Sequence, residues 1–482
     1  MIAQDFRGGR QNRGQPGGRH DGRGGQPGQG GGQRPHGHGQ PQHGGGRGQG
    51  RGPRGGGQGG GRQGGGRGRD RFRGGRAPRK GGGPRFRTEI AEEQEQLAVP
   101  PLKEGVLRIY SLGGLEDVGE RNMQVLEYGN DIITIDCGLW FAEPDLMPGI
   151  DYVVPNSKHL QANATKIRGM VMCHGHMDHI GGISHVAPLL GFPPIYCTGL
   201  TKAFIERRQE EFGNLGKFKI NEFKPRDVLQ LGAFRIEPFH INHNIPEAVG
   251  LAIHTPVGTI VHTGDFKFDL SPTMGAPADV AHIAQIGDRG VVAMMSDSTD
   301  AHMAGHQISE TDVEKSLDGL VKNVEGRLIA VTFASLLMRI QMLINLAEKY
   351  GRKVVLEGRS MKTNVEIAHQ RKLLRVKPGT ILDERRINDV PDNKLLVIGT
   401  GAQAEEFAML MRVVNKEHAR IQIKPGDTVL FSSSVIPGHE RNVDALKDTL
   451  HRQGRSGALR HDGRARRWPR QERRPQADAA LG

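Results

Sequence analysis

Alternation of apolar and polar residues begins abruptly at Val106 and organises the chain from there to about Leu450. Residues 106–112 and 131–136 carry the period-two pattern of β-strands, separated by the glycine-rich stretch from Gly113 to Gly119. Further short strands are predicted at 167–172, 234–239, 251–254 and 259–262, and helices at 182–190, 201–211 and 310–324. Hairpin-length strands mixed with helix-separated ones favour an α/β sandwich over an all-β barrel. Beyond about Thr311 the alternation becomes regular: strands at 327–331, 353–356, 394–398 and 428–431, with a helix at 336–349. That rhythm predicts a parallel sheet and a separate domain. No run of about 18 apolar residues occurs, so no membrane span is expected.

The first 90 residues have no such pattern. They hold 35 of the 71 glycines and 19 Lys and Arg against 4 acids, with almost no apolar side chains to bury. This head is expected to be disordered. Its net charge of +15 suits a polyanion, and RNA is the natural one, held through phosphate contacts and guanidinium stacking. Residues 451–482 hold 9 Arg against 3 acids, so the body at 91–450 carries a net charge of −8. The opening segment resembles neither a signal nor a transit peptide, and three cysteines without a Cys-x-x-Cys fit a reducing cytoplasm.

The chemistry concentrates in His174-Gly-His176-Met-Asp178-His179, after an apolar strand ending at Cys173 and before Gly181-Gly182. Three imidazoles and a carboxylate within six residues form a metal-ligand set. On a turn entering a helix, His174 and His176 are placed to face one cation while Asp178 and His179 face a neighbour. Imidazole with carboxylate suits Zn²⁺ best and Mn²⁺ next, and the lack of cysteine speaks against a purely structural zinc site. Downstream, His243 follows a strand and Asp265 ends a hairpin, where a carboxylate can bridge two metals. His240 competes with His243 as ligand; His243 is preferred because His240 alternates onto the strand. Asp136, at a strand end, is expected to accept a hydrogen bond from a liganding histidine and fix its ring.

In order, Asp136, the 174–179 string, His243 and Asp265 resemble the motifs of the metallo-β-lactamase superfamily. Gly113-Gly-Leu-Glu-Asp-Val-Gly-Glu-Arg-Asn122, Ser296-Asp-Ser-Thr299, Thr332-Phe-Ala-Ser335, Glu357-Gly-Arg-Ser-Met361 and Ser432-Ser-Ser-Val-Ile-Pro-Gly-His-Glu440 narrow the likeness to the ribonuclease J family of β-CASP nucleases, over about residues 104–453. The resemblance implies a metallo-β-lactamase αββα sandwich at 104–310, with a β-CASP α/β domain at 311–453. It implies a dinuclear, zinc-dependent ribonuclease, cutting RNA 5′→3′ and internally in maturation and decay. His174, His176 and His243 would hold one ion and Asp178 and His179 the other. Asp265 would bridge them, and Asp178, His179 and Asp265 would be the catalytic residues. Asp297 stands where the family carries the acid of its first β-CASP motif, in a supporting role. Arg359, Ser360, Ser433 and Ser434 are candidate phosphate donors for single-stranded, 5′-monophosphorylated RNA, although Arg359 equally fits a scaffold ion pair. Homo-oligomers and RNA-decay or ribosome-associated partners belong to the same expectation.

The likeness stops near Gly454, where the family continues through an HVSGHA-like string and a distal metal-binding histidine. Residues 454–482 read instead as an aberrant basic tail, and a shifted reading frame near codon 454 is the expected cause, checked by the nucleotide sequence. A second metal short of one ligand, an exposed sheet edge and weak or absent activity would follow. Two other readings compete with the nuclease: a hydrolase of small thioesters or esters on the same fold, and an inactive RNA-binding protein.

Overall fold

A computed structural model describes residues 99–115, 119–142, 147–212, 216–436, 439–453, 456–461 and 464–467. The Gly/Arg-rich head expected to be disordered and RNA-binding lies outside the described residues.

The first domain is built on two stacked sheets. One contains β1 (Leu107–Gly113), β2 (Met123–Tyr128), β3 (Asp131–Ile135), β6 (Ile167–Val171), β7 (Ile195–Cys197) and β8 (Ile220–Glu222) in that spatial order. It is antiparallel from β1 to β3 and parallel thereafter. A small ribbon of β4 (Trp140–Phe141) and β5 (Tyr152–Val153) branches from it. The other sheet runs β13 (Ala293–Met295), β12 (Gly258–His262), β11 (Val249–Thr255), β10 (Phe234–His240), β9 (Leu229–Leu231). Alternating residues make the inner layer: Leu126, Ile133, Ile135 and Val171 of one sheet meet Phe234, Ile236, Leu251 and Ile253 of the other. The outer face of the first sheet turns Val125, Ile132 and Met170 toward α2 (Met177–Ile180), α3 (Ile183–Leu189) and α4 (Gly199–Glu210), which follow the short α1 (Lys158–Ala162). The outer face of the second sheet packs Phe239 and Ala252 on Ile286 of α5 (Val280–Asp288). The result is the expected αββα sandwich.

The edge of the second sheet is open in the described residues. Val292 and Met294, in and beside β13, are 64% and 66% exposed, so this sheet ends on an apolar strand of the kind that proteins normally cover.

The second domain begins with α6 (Glu310–Lys322). Its sheet runs in the spatial order β16 (Ile381–Leu382), β15 (Lys353–Leu356), β17 (Leu395–Gly399), β14 (Leu328–Val331), β18 (Thr428–Phe431), β19 (Ser456–His461), β20 (Arg464–Arg467). All pairings are parallel except the last. Leu328, Ala330, Val354 and Leu396 face α6, α7 (Leu337–Lys349) and α8 (Arg359–Gln370), whereas Ile329, Val331, Val355 and Val397 face α9 (Met409–Val414) and α10 (Glu440–Arg452). Strands buried on both sides are the normal condition of a parallel sheet. The sheet continues past the boundary expected at 453: β19 pairs with β18 and β20 with β19. Backbone ladders need no apolar period, so a basic stretch can extend an edge that its composition does not announce.

Glu310 ties the two domains together. Its buried carboxylate accepts from Lys267 Nζ at 2.5 Å and from Arg339 Nη2 at 3.3 Å, and Arg339 also donates to the Ser432 carbonyl at 2.6 Å. Burial works against its ionisation, but the Arg339 and Lys267 charges overcome this and hold its pKa below the usual glutamate value. Glu310→Ala would strand the buried Arg339 guanidinium, while Lys267 keeps Asp269 at 3.6 Å, and a loss of about 3–5 kcal/mol is expected, read as a shift of the urea midpoint. Because the folded pKa is depressed, the Glu310 contribution is present above the unfolded value and lost as pH falls through the folded one.

Candidate metal centre

Strand ends converge on one point between the sheets. β6 delivers Cys173 and His174, a turn carries His176, and α2 brings Asp178 and His179. From the second sheet come His243, three residues past β10, and Asp265, three past β12. A single backbone bridge pins these two loops, with Lys267 N–H donating to the Asn242 carbonyl at 2.8 Å.

The ligand atoms fall into two groups that share a member. His174 Nε2 lies 3.0 Å from His176 Nδ1, which lies 3.1 Å from His243 Nε2. Asp265 Oδ2 stands 3.8 Å from His174 Nε2 and 3.6 Å from His243 Nε2. The same oxygen is 3.3 Å from His179 Nε2, and Asp178 Oδ2 is 3.2 Å from that nitrogen. Within each set, His174, His176, His243 and Asp265 on one side and Asp178, His179 and Asp265 on the other, the potential ligand atoms all lie within 4.8 Å of one another.

Protonation states suit this arrangement. Burial, first, pushes the His174, His176 and His243 pKa values down, that of His243 to about 3, so these rings are neutral. Three neutral imidazoles facing one another at 3.0–3.1 Å crowd lone pairs that a cation would satisfy together. Asp265 is held well below the ordinary aspartate value: burial opposes its charge, and the histidines around it prevail. His179 moves the other way, because the Asp265, Asp178 and Asp136 carboxylates outweigh burial. The residues present therefore fit two divalent cations, with four donors in one group and three in the other among the described residues.

Asp136 lies beside the cluster, just past β3. It is fully buried, with φ of 59°, a left-handed conformation rare for a non-glycine residue and common at functional sites. Its Oδ1 accepts from Cys173 N–H at 2.8 Å, and its Oδ2 lies 2.7 Å from His179 Nδ1. The carboxylate therefore sets both the chain that leads into His174 and the ring of His179. Gly138, two residues on, has no room for a side chain: a Cβ there would collide with the Asp178 carbonyl.

Of the competing histidines, His243 reaches the cluster. His240 is the last residue of β10 and lies 3.0 Å from the Ala276 carbonyl through Nε2. Asp297 accepts from Thr299 N–H at 2.7 Å and from Phe266 N–H at 3.4 Å, bracing the loop after Asp265 from outside the cluster. Arg359 and Ser360 open α8 on the surface, and Ser433 and Ser434 follow β18. The two pairs follow the carboxyl ends of β15 and β18, which two other strands separate, and make no hydrogen bond to the cluster. Ser433 Oγ is buried without a hydrogen-bond partner. Gln403 is buried; it donates to the Ser434 carbonyl at 2.7 Å and accepts from Ile436 N–H at 2.8 Å, so it shapes that loop.

Comparison with known proteins agrees with this geometry. Residues 132–310 match the beta-lactamase superfamily domain, and residues 325–450 match the beta-CASP domain of ribonuclease J. The chain is 40% identical over 354 residues to the ribonuclease J of Thermus thermophilus, covering 72% of this chain and 61% of that protein. It is 40% identical over 351 residues to the ribonuclease J of Synechocystis, covering 72% and 54%. With that of Mycolicibacterium smegmatis it shares 37% over 355 residues, covering 74% and 63%. The chain thus spans less than two thirds of the length of each of these relatives. A solved protein of unknown function from Enterococcus faecalis shares the fold, with a TM-score of 0.50 at 14% identity over 73% of this chain and 87% of that one. Across a β-lactamase-type sandwich holding a His/Asp cluster and an adjoining domain that matches the β-CASP domain of ribonuclease J, the chain is similar to proteins of the ribonuclease J family.

Proposed function

We propose that the chain hydrolyses RNA phosphodiesters at a two-cation centre. The observation that carries this reading is Asp265 Oδ2, one carboxylate oxygen within reach of both donor groups. His174, His176 and His243 hold one ion with Asp265; Asp178 and His179 hold the other, and Zn²⁺ is the favoured metal with Mn²⁺ next. Bound cations of this kind would lower the pKa of water toward about 7 and offset charge on phosphoryl oxygens. The protein's own part is to keep the histidine lone pairs free through burial, to fix the His179 ring through Asp136, and to present Asp265 to both ions. With three donors against four, the second group should take its ion more weakly, and turnover should be low until it fills.

The substrate is single-stranded RNA, entering with a 5′-monophosphate and leaving products with 5′-phosphate and 3′-hydroxyl ends, by both 5′→3′ and internal cutting. Arg359, Ser360, Ser433 and Ser434 are the phosphate donors in this reading, and the cationic head gathers RNA with a salt-sensitive affinity. No helix among the described residues is long and apolar enough to cross a membrane, and the reading places the protein in the cytoplasm, as a homo-oligomer with RNA-decay or ribosome-associated partners. The β-CASP domain, which a thioester or ester hydrolase does not need, favours the nuclease.

The test is zinc-loaded protein against 5′-monophosphorylated and 5′-triphosphorylated RNA, with and without chelator. Faster turnover of the monophosphate, abolished by chelator, is expected; tight RNA binding by the zinc-loaded chain without turnover would identify an inactive RNA-binding protein. Arg359→Ala is expected to raise KM for the monophosphorylated RNA by about 10- to 100-fold, the worth of a charged hydrogen bond, with kcat little changed.

A further inference from the structure

The string from Gly113 to Asn122 contributes none of the metal ligands assigned so far, yet the structure folds it onto the second donor group. Asn122 Nδ2 lies 3.2 Å from Asp178 Oδ2 and 3.2 Å from His179 Nε2, the two atoms assigned to that group alone. Asn122 is fixed there from both sides of its backbone: its N–H donates to the Asp178 carbonyl at 2.9 Å, and its carbonyl accepts from Gly138 N–H at 2.9 Å. The two glycines at the start of the string make room for it. A Cβ on Gly113 would collide with the Arg121 carbonyl, and one on Gly114, which sits at φ of 89°, would collide with Asn122 Oδ1. The string therefore clears a space and fills it with one amide.

We infer that Asn122 is a positioning residue of the second cation subsite, whose amide N–H holds the Asp178 carboxylate in place beside His179. This inference rests on the two-cation reading. A carboxylate oxygen can only accept, so the amide N–H is the group that holds Asp178 in the metal-free chain. An imidazole nitrogen that gives its lone pair to a cation cannot also accept from an N–H. Asn122 Nδ2 would therefore keep Asp178 as its partner once His179 Nε2 faced a cation, and neither alanine nor aspartate offers such a donor.

The experiment titrates Zn²⁺ into the metal-free wild-type protein, Asn122→Ala and Asn122→Asp by calorimetry, with Co²⁺ absorption spectra recorded for the second equivalent. Asn122→Ala is expected to weaken the second ion by about 10- to 100-fold, leave the first ion unchanged, and alter the second-equivalent Co²⁺ spectrum. Asn122→Asp, which has no N–H to give Asp178, is expected to alter that spectrum too. Circular dichroism of the metal-free variants checks that the fold is intact. Second-ion binding in Asn122→Ala equal to or tighter than wild type would overturn the inference, as would equal weakening of both ions. Wild-type protein that takes up no zinc would overturn the two-cation reading itself.

Discussion

Asp265→Ala is expected to abolish tight binding of both cations and to slow RNA hydrolysis by at least about a thousandfold, on the order of 4 kcal/mol in the barrier. Among the described residues its Oδ2 is the one ligand atom common to both groups. Removing it leaves three neutral imidazoles on one side and Asp178 with His179 on the other. Its charge also sets the state of its neighbours: the depressed Asp265 pKa and the raised His179 pKa are two sides of one contact at 3.3 Å. Asp265→Asn should lose much of the effect too, because an amide oxygen lacks the charge that two cations share. Metal content by mass spectrometry and turnover of 5′-monophosphorylated RNA check both variants, and a variant that keeps two tightly held ions would remove Asp265 from its bridging place.

Asp136→Asn should be nearly as damaging to the second cation, although Asp136 belongs to neither ligand group. Its Oδ2 faces His179 Nδ1 at 2.7 Å, which keeps a proton on Nδ1 and aims Nε2 at Asp178 and Asp265. An asparagine can still accept the Cys173 N–H through its oxygen, but its NH₂ then faces His179. A donor facing Nδ1 favours the tautomer with the proton on Nε2, the wrong one for metal binding. In serine proteases the same exchange beside the catalytic histidine leaves the geometry intact and still removes most of the activity, through the wrong tautomer. About a 100-fold loss of second-ion affinity is expected, with the fold retained. Asp136→Ala adds a structural penalty, because the buried Cys173 N–H loses its acceptor, and about 1–3 kcal/mol of stability should go with it. Zinc titration beside urea unfolding separates the two effects.

How much of the fold and the site was legible in the sequence depended on whether a residue's meaning was local. The 174–179 string names its own chemistry, and Asp136, His243 and Asp265 all stand at or just past the ends of predicted strands, where side chains leave the ladder and become free to point into a site. His240, set aside because it alternates onto the strand, is indeed the last residue of β10. Asn122 was not legible, because its partners lie 56 and 57 residues away and the glycines that admit it look like an ordinary turn. β2 was missed for a related reason: MQVLEY contains Glu127, which is 2% exposed and compensated by Arg108 at 3.2 Å, so its polar residues hide a buried strand. α8 presents only Met361, Val365 and Ala368 to the core, too thin a stripe to stand out in a polar segment. The Lys267, Glu310 and Arg339 network joins three elements that no local pattern connects.

In the function proposed for this chain, RNA is hydrolysed at a centre where the two donor groups that share Asp265 would hold two cations. That claim is tested most directly by measuring turnover of 5′-monophosphorylated RNA while zinc is added stepwise to the metal-free chain and the bound ions are counted. No turnover is expected through the first equivalent, then turnover that rises as the second fills, and complete loss on chelation. Hydrolysis that persists in chelator, or its absence when both ions are bound, would contradict it.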